Sequence, residues 1–195
     1  ATGYYAGRKA AGHAKTMTEW LPCSEEECAN EKRRLLAPLS VSEEEGISWK
    51  ELNMAISKAM QNYCGGVRCE AILREGLDLL QHFESDMVPR LIARNPHDLM
   101  RIHEVLDILT IAQMVLHASL ARRSSSEPLC FRRSDFPEMD PEAERRFIVI
   151  RMENGEVKTR DADLDYYCPG MREKTRKLIA GRNTGGGFGP CGVPA

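Results

Sequence analysis

The stretch from Asn95 to Ser126, "NPHDLMRIHEVLDILTIAQMVLHASLARRSSS", is the longest periodic apolar segment in the chain. Asn95 is a favourable N-cap, and Pro96 suits the first helical position, where its missing amide proton costs nothing. Asp98 favours the positive end of the helix dipole. The apolar residues do not fit on one narrow stripe, which is typical of a central helix in a bundle. The segment therefore predicts a long helix on which the rest of the domain packs.

Two further helical patterns precede this segment. The first begins at Ser48, which can form a capping box with Glu51, and ends at Gly65 and Gly66, because glycine accepts the left-handed conformation of a helix end. The second is predicted from about residue 68 to 93. Its inner stripe comprises Cys69, Ile72, Leu73, Gly76, Leu80, Phe83, Met87 and Leu91, and Pro89 is expected to kink its end. Three helices with short connections predict an antiparallel up-down-up bundle.

The flanking segments complete a mainly α fold. Residues 1–17 form a helix with a small-residue face, and Ser24 with Glu27 predicts a capped helix that ends at Pro38. Asn154-Gly155 in "RFIVIRMENGEVKTRDADL" predicts a β-hairpin. We therefore expect an antiparallel three-helix bundle, spectrin-repeat-like, with an N-terminal helix and a C-terminal β-hairpin extension. The predicted segments are 1–17, an acidic linker 18–46, the bundle 47–125, a strap with the hairpin 126–168, and a short helix with a glycine-rich tail 169–195.

Composition excludes some classes of partner. The 195 residues carry a net charge of -2, which predicts no general affinity for nucleic acid or anionic membrane. No run approaches the roughly 20 apolar residues that span a bilayer, so we expect no direct membrane insertion. The chain opens on Ala1 without the apolar stretch of a secretory signal. We expect a piece of a longer protein, cut from its N-terminal part.

The seven cysteines are an odd number in a chain without an export signal, which favours a reduced, cytoplasmic setting. Four residues separate Cys23 from Cys28 and Cys64 from Cys69, whereas structural zinc sites use tighter knuckles. We favour scattered structural thiols. A small metal-binding module that uses Cys64, Cys69 and nearby histidines is the alternative.

One polar line runs along the long helix. It comprises His103, Asp107, Thr110, Gln113 and His117, at spacings of four and three that place them on one face. His103 and Asp107 could form a hydrogen-bonded pair of the kind used in acid–base catalysis. No nucleophile at a recognisable spacing accompanies them, so we favour a solvated edge or a contact with a neighbouring domain.

Arginines and acids alternate after the long helix, in the strap "SSSEPLCFRRSDFPEMDPEAERR". Alternating signs favour an internal salt-bridge network over a phosphate site. The residues to which we assign an interface or structural role are Arg101, His103, Asp107, Arg122, Arg123, Arg132, Arg133 and Asp135. No catalytic residue and no metal ligand is assigned, and no phosphate-binding loop is present.

The order of these pieces resembles the C-terminal part of the fumarate reductase/succinate dehydrogenase flavoprotein family, which includes the adenylylsulfate reductase alpha subunit. The similar segments are "GYYAGRKAAGHA", "SWKELNMAISKAMQNYCGGVR", the long helix and "FRRSDFPEMDP". The family's S-R-G-A-H pattern before the strap arginine is replaced by "SSSEPLCF". That departure weighs against a plain succinate dehydrogenase and favours an adenylylsulfate reductase-like or other branch.

The resemblance implies an FAD-dependent oxidoreductase whose electrons pass to or from an iron–sulfur subunit. It implies that the flavin and catalytic residues lie in upstream FAD-binding and capping domains, so that this fragment alone is catalytically inactive and holds no cofactor. The helix at the start of the chain would close the FAD-binding domain, with Ala1, Thr2 and Gly3 near the flavin. A cytoplasmic location is implied, and association with a membrane would occur through partner subunits. A stand-alone helical interaction domain without a redox role is the alternative.

Overall fold

The computed structural model describes residues 2–19, 22–127, 130–141 and 146–163, together with Gly170, Glu173 and Lys177. The chain divides into two compact units, Ala1–Ala37 and Pro38–Ala195. The described helices and the C-terminal hairpin confirm the predicted fold class, a mainly helical bundle with a two-stranded antiparallel extension. The glycine-rich tail predicted at the C-terminus lies outside the described residues, and the five-segment division of the chain stays a prediction.

The N-terminal unit contains two helices, α1 (Thr2–Ala14) and α2 (Glu25–Leu36). The capping box at the start of α2 is confirmed. Ser24 Oγ accepts from the Glu27 amide at 3.1 Å, and the Ser24 amide donates to the Glu27 carboxylate at 2.8 Å. That backbone donor lowers the pKa of Glu27. After α2 the chain continues through a 3-10 turn, Ala37–Ser40, that includes Pro38.

The second unit is built around α3 (Trp49–Tyr63), α4 (Glu70–His82) and α5 (Pro96–Ala121), each of which packs on the other two. Their shared core is apolar. It contains Leu52, Ile56, Ala59, Leu73, Leu80, Leu91, Ala93, Ile102, Val105, Leu109, Ala112 and Leu116. Burial of these side chains supplies the main driving force for the bundle.

Helix α5 begins as its sequence predicts. Asn95 Oδ1 accepts from the Asp98 amide at 2.9 Å, and Pro96 occupies the first helical position. Within the described residues α5 is the one helix long and apolar enough to cross a membrane by length and composition. Helix α5 therefore contradicts the prediction that no segment of the chain approaches the length and hydropathy of a membrane span. The core helix of a soluble protein meets the same criterion, and α5 packs on α3 and α4.

The other helix boundaries differ from the predictions in two places. Helix α3 ends at Tyr63, but neither Gly65 nor Gly66 adopts a positive φ, so the left-handed ending is wrong. Helix α4 is shorter than predicted at both ends. A strand pairing takes Val67 and Arg68, and after His82 the chain runs through a π-helical turn (Phe83–Met87) and a 3-10 turn (Val88–Arg90).

The predicted inner stripe of α4 holds at most positions. Leu73, Gly76 and Leu80 are buried, whereas Ile72 is 42% exposed. A Cβ on Gly76 would lie 2.5 Å from Cβ of Tyr63, so glycine is required where α3 and α4 approach each other. The absence of a side chain at Gly76 therefore allows α3 and α4 to approach each other closely.

Two short sheets complete the unit. Strand β1 (Val67–Arg68) pairs in parallel with β2 (Arg132–Arg133) in the strap. Strands β3 (Arg146–Glu153) and β4 (Glu156–Asp163) form the predicted antiparallel hairpin, which contacts α5. Its two-residue turn has φ of 53° at Asn154 and 79° at Gly155, the left-handed pair that a type I′ turn needs. The hairpin prediction is confirmed.

Candidate functional site

Arg133 is the largest fully buried side chain in the described part of the chain. Its Nε and Nη2 donate to the two carboxylate oxygens of Asp135 at 2.8 and 2.6 Å. Its Nη1 donates to the carbonyl oxygens of Ser119 at 2.5 Å and Arg122 at 3.1 Å. The first carbonyl belongs to the last turn of α5 and the second to its C-cap residue, where helical partners are lacking. A buried guanidinium is tolerated because these acceptors surround it.

Asp135 connects the same ion pair to a second helix. Its Oδ2 accepts from the Glu70 amide at 2.8 Å, at the first position of α4. The N-cap of α4, Cys69, makes no side-chain capping bond, so Asp135 caps this helix from 65 residues away. The Arg133 guanidinium holds the pKa of Asp135 well below its usual range. One arginine–aspartate pair therefore ties the strap to the end of α5 and the start of α4.

Arg68 makes further contacts near the Arg133–Asp135 pair. Its Nη1 donates to Ser119 Oγ at 3.1 Å and its Nε to the Gly65 carbonyl at 2.9 Å. Its guanidinium lies 4.7 Å from the centre of the Phe131 ring, and that of Arg122 lies 5.5 Å from the same ring. These are cation–π distances. Arg68 thus joins the loop before α4 to both α5 and the strap.

Three consecutive serines organise the backbone of the strap. Ser124 Oγ donates to Asp140 at 2.9 Å. Ser125 Oγ accepts from the Arg133 amide and donates to the Phe136 carbonyl, both at 2.8 Å. Ser126 exchanges two backbone hydrogen bonds with Phe131. The segment in which the chain departs from the succinate dehydrogenase pattern therefore has a structural task here, since it positions the buried arginine.

The other arginines to which we assign an interface or structural role have different surroundings from Arg133. Arg123 lies 5.0 Å from the Phe136 ring, and Arg132 is exposed. Arg101 pairs with Glu104 at 2.5 Å and lies 5.1 Å from the Trp49 ring. Within the described strap, Arg133 pairs with Asp135, and Arg146 at its end lies 3.9 Å from Asp161 in the hairpin. Arg122 and Arg123, which precede the strap, contact aromatic rings. The interface role assigned to these residues stays a prediction.

The polar line of α5 runs along one edge of the helix. Asp107 and Thr110 are exposed, whereas His103, Gln113 and His117 are half-buried. Gln113 donates to Glu84 at 2.8 Å in the π-helical turn after α4, and burial lowers the pKa of His117. Gln113 therefore acts as a link within the bundle.

Beside this line, α5 exposes a largely apolar surface. Its exposed residues are Met100 (50%), Ile108 (43%), Ile111 (58%), Met114 (43%) and Val115 (38%), and we call them the α5 apolar face. Ile108, Ile111, Met114 and Val115 are neighbours at spacings of three and four, whereas the exposed Glu104 and Asp107 lie between them and Met100. A cluster of exposed apolar residues of this kind marks an interaction surface. The sequence predicts that α5 is apolar nearly all round. It does not predict which side of the helix stays exposed.

The remaining predicted sites are the start of α1 and the cysteines. Ala1 and the side chain of Thr2 lie outside the described residues, and Gly3 is exposed, with open space around its Cα. The placement of Ala1, Thr2 and Gly3 near the flavin stays a prediction. Among the described residues no group of three His, Cys, Asp or Glu side chains could hold a metal ion. Cys64 and Cys69 are free thiols, but Cys130 is disulfide-bonded, so the expectation of reduced thiols is wrong there.

A sequence model of the fumarate reductase flavoprotein C-terminal family matches residues 53–177. That span is more than half of the chain and contains most of α3 and the rest of the bundle, the strap and the hairpin. The chain belongs to this family. The resemblance recognised in the sequence is thereby confirmed. No curated protein sequence matches the chain.

Solved structures share the fold of this family member. Adenosine-5-phosphosulfate reductase in complex with sulfite is 21% identical with a TM-score of 0.71, over 81% of this chain and 27% of that one. Mycobacterium smegmatis Sdh1 in complex with UQ1 is 24% identical with a TM-score of 0.63, over 80% and 26%. FrdA of E. coli quinol fumarate reductase is 20% identical with a TM-score of 0.65, over 81% and 28%. The chain thus spans little more than a quarter of each.

Proposed function

We propose that this family member works as the C-terminal helical domain of an FAD-dependent oxidoreductase. In this proposal it packs on an FAD-binding domain of the same polypeptide and contributes to the surface that meets an iron–sulfur electron-transfer subunit. The flavin and the catalytic residues are supplied by the FAD-binding and capping domains. Location is cytoplasmic, with any membrane association provided by partner subunits.

The α5 apolar face is the observation that carries the proposal. The longest helix of the bundle packs on α3 and α4 with one side and leaves five large apolar residues between 38% and 58% exposed on the other. Completing their burial is favourable by about 25 cal/mol per Å² of apolar surface. The chain corresponds to about a quarter of the length of its structural relatives. In our proposal, the α5 apolar face is the surface on which the rest of the polypeptide packs.

The predicted interface residues in and next to the strap fall into two groups, according to their contacts and exposure. Arg133 and Asp135 are committed to each other and to the helix ends, so we assign them a structural role. Arg123 and Arg132 are exposed, and we propose that they face the electron-transfer partner. Exposed charges at the rim of an interface mainly change association rates and their salt dependence.

The start of α1 remains the part that we propose to lie near the flavin, through Thr2 and Gly3. FAD would supply hydride and electron transfer in the complete enzyme. Expressed alone, the 195 residues should neither bind FAD tightly nor reduce fumarate.

The proposal is tested in a polypeptide that joins the FAD-binding and capping domains to this chain. Ile111→Asp places a charge in the middle of the α5 apolar face, and the matched control Met54→Asp changes an apolar residue of α3 that is 70% exposed. Both positions are exposed, so neither change should unfold the bundle. Burying the unpaired carboxylate should weaken docking by about tenfold or more.

We expect Ile111→Asp to lose flavin during gel filtration and Met54→Asp to retain it as the parent protein does. Equal flavin retention in all three proteins would show that the α5 apolar face does not pack on the FAD domain. A preparation of the 195 residues alone that is yellow and reduces fumarate would contradict the assignment as a dependent domain. A colourless chain that forms a stable complex with an unrelated protein would favour the stand-alone interaction domain instead.

A further inference from the structure

Two exposed thiols meet in the N-terminal unit. The sulfur atoms of Cys23 and Cys28 lie 3.3 Å apart, and both cysteines are free. A disulfide requires a sulfur–sulfur distance of about 2.05 Å. The two sulfurs are therefore close enough for rotation of their side chains to bring them to bonding distance.

The start of helix α2 holds the two thiols together. Cys23 directly precedes the N-cap Ser24, and Cys28 is the fourth residue of the helix. These are the two positions that face each other across a helix start, where a hydrophobic staple usually sits. The Ser24–Glu27 capping box fixes the backbone between them. The juxtaposition thus follows from the helix geometry.

A second pair in the same chain provides a contrast. Cys64 and Cys69 have the same four-residue spacing, but they flank the loop between α3 and α4 and are half-buried. The described hydrogen bonds include no contact between their sulfurs. Spacing alone therefore does not create a thiol pair.

The contact between the two sulfurs also affects the ionisation of Cys23. The hydrogen bond with Cys28 raises the pKa of Cys23. Attack on a disulfide requires the thiolate, so the reaction should become faster as the pH rises.

We propose that Cys23 and Cys28 form a redox-active dithiol, which small-molecule disulfides oxidise to an intramolecular disulfide at the start of α2. One thiol loses its proton and attacks a sulfur of the reagent, which forms a mixed disulfide and releases one small thiol. The other cysteine then attacks the protein sulfur of that mixed disulfide and releases the second small thiol. The two protein sulfurs lose two electrons, the two reagent sulfurs gain them, and the two protons end on the released thiols.

The experiment uses the reduced 195-residue chain and 2-hydroxyethyl disulfide, with free thiols alkylated at each time point. Trypsin leaves both cysteines in one peptide, residues 16–32, because no lysine or arginine lies between Lys15 and Lys32. Mass spectrometry then distinguishes a peptide that has lost two hydrogen atoms from one that carries the reagent. The Cys64 and Cys69 thiols of the same sample are the internal control.

We expect the internal disulfide to exceed the mixed disulfide in this peptide by about tenfold, because ring closure is an intramolecular step. Cys23→Ser and Cys28→Ser should each stop at the mixed disulfide, whereas Cys64→Ser should leave the result unchanged. Two reagent groups on the wild-type peptide without ring closure would overturn the proposal. So would an internal disulfide that forms at least as fast between Cys64 and Cys69 as between Cys23 and Cys28.

Discussion

Replacing Arg133 with methionine should destabilise the second unit by about 3 kcal/mol, since each buried acceptor left without a donor costs about 1–3 kcal/mol. The variant keeps an apolar stem of similar length but removes every donor that the guanidinium supplies. The carbonyl oxygens of Ser119, which is buried, and of Arg122, which is half-buried, then lose their partner at the end of α5. The side chain of Asp135 is 28% exposed and can regain water, so the loss at the carbonyls dominates.

Urea unfolding followed by far-ultraviolet circular dichroism measures this change. With a urea dependence of about 2 kcal/mol per molar, a loss of about 3 kcal/mol lowers the midpoint by about 1.5 M. The neighbouring variant Arg132→Met is the control, because Arg132 is exposed on the same strand and should change stability by less than about 0.5 kcal/mol. Arg133→Lys should rescue little, since a single ammonium cannot reproduce the bidentate pair. Equal midpoints for Arg133→Met and Arg132→Met would refute the structural role of the buried arginine.

Two further predictions concern packing and pH. Gly76→Ala should cost about 1–3 kcal/mol, since its Cβ would overlap Tyr63, whereas Gly12→Ala, with open space around it in α1, should be neutral or stabilising; thermal unfolding compares them. Arg133 lowers the pKa of folded Asp135, so the unfolded state binds more protons as the pH falls below about 4. Stability from this pair is therefore complete above that pH and is lost as the pH falls through the folded pKa. Urea midpoints from pH 7 to pH 2 should fall less steeply for Asp135→Asn than for the parent, and parallel curves would contradict the assignment.

Local signals allowed the best sequence predictions. Asn95 with Pro96 predicts the start of α5 because an N-cap and a first-turn proline act within a few residues. Asn154-Gly155 predicts the hairpin for the same reason, since both residues accept a positive φ. The capping box at Ser24 is equally local. Each of these features was recognisable without knowledge of the rest of the fold.

The errors came from contacts between distant segments. The predicted start of α4 at residue 68 is taken by the β1–β2 pairing, which depends on a strap more than 60 residues away. Charge patterning cannot show that Arg133 is buried, because its acceptors at Ser119 and Arg122 are backbone oxygens, common to every sequence. Arg68 was part of a recognised motif, yet its bond to Ser119 depends on the same packing.

The most direct test of the central claim is methionine footprinting of the α5 apolar face. Limited oxidation is compared between the 195 residues alone and the polypeptide that joins them to the FAD-binding and capping domains. Met100 and Met114 lie on the face at 50% and 43% exposure, and Met54 on α3 serves as the reference at 70%. The account predicts that Met100 and Met114 become protected in the longer polypeptide while Met54 oxidises at the same rate. Unchanged oxidation of all three would contradict the claim that this helical domain docks through α5.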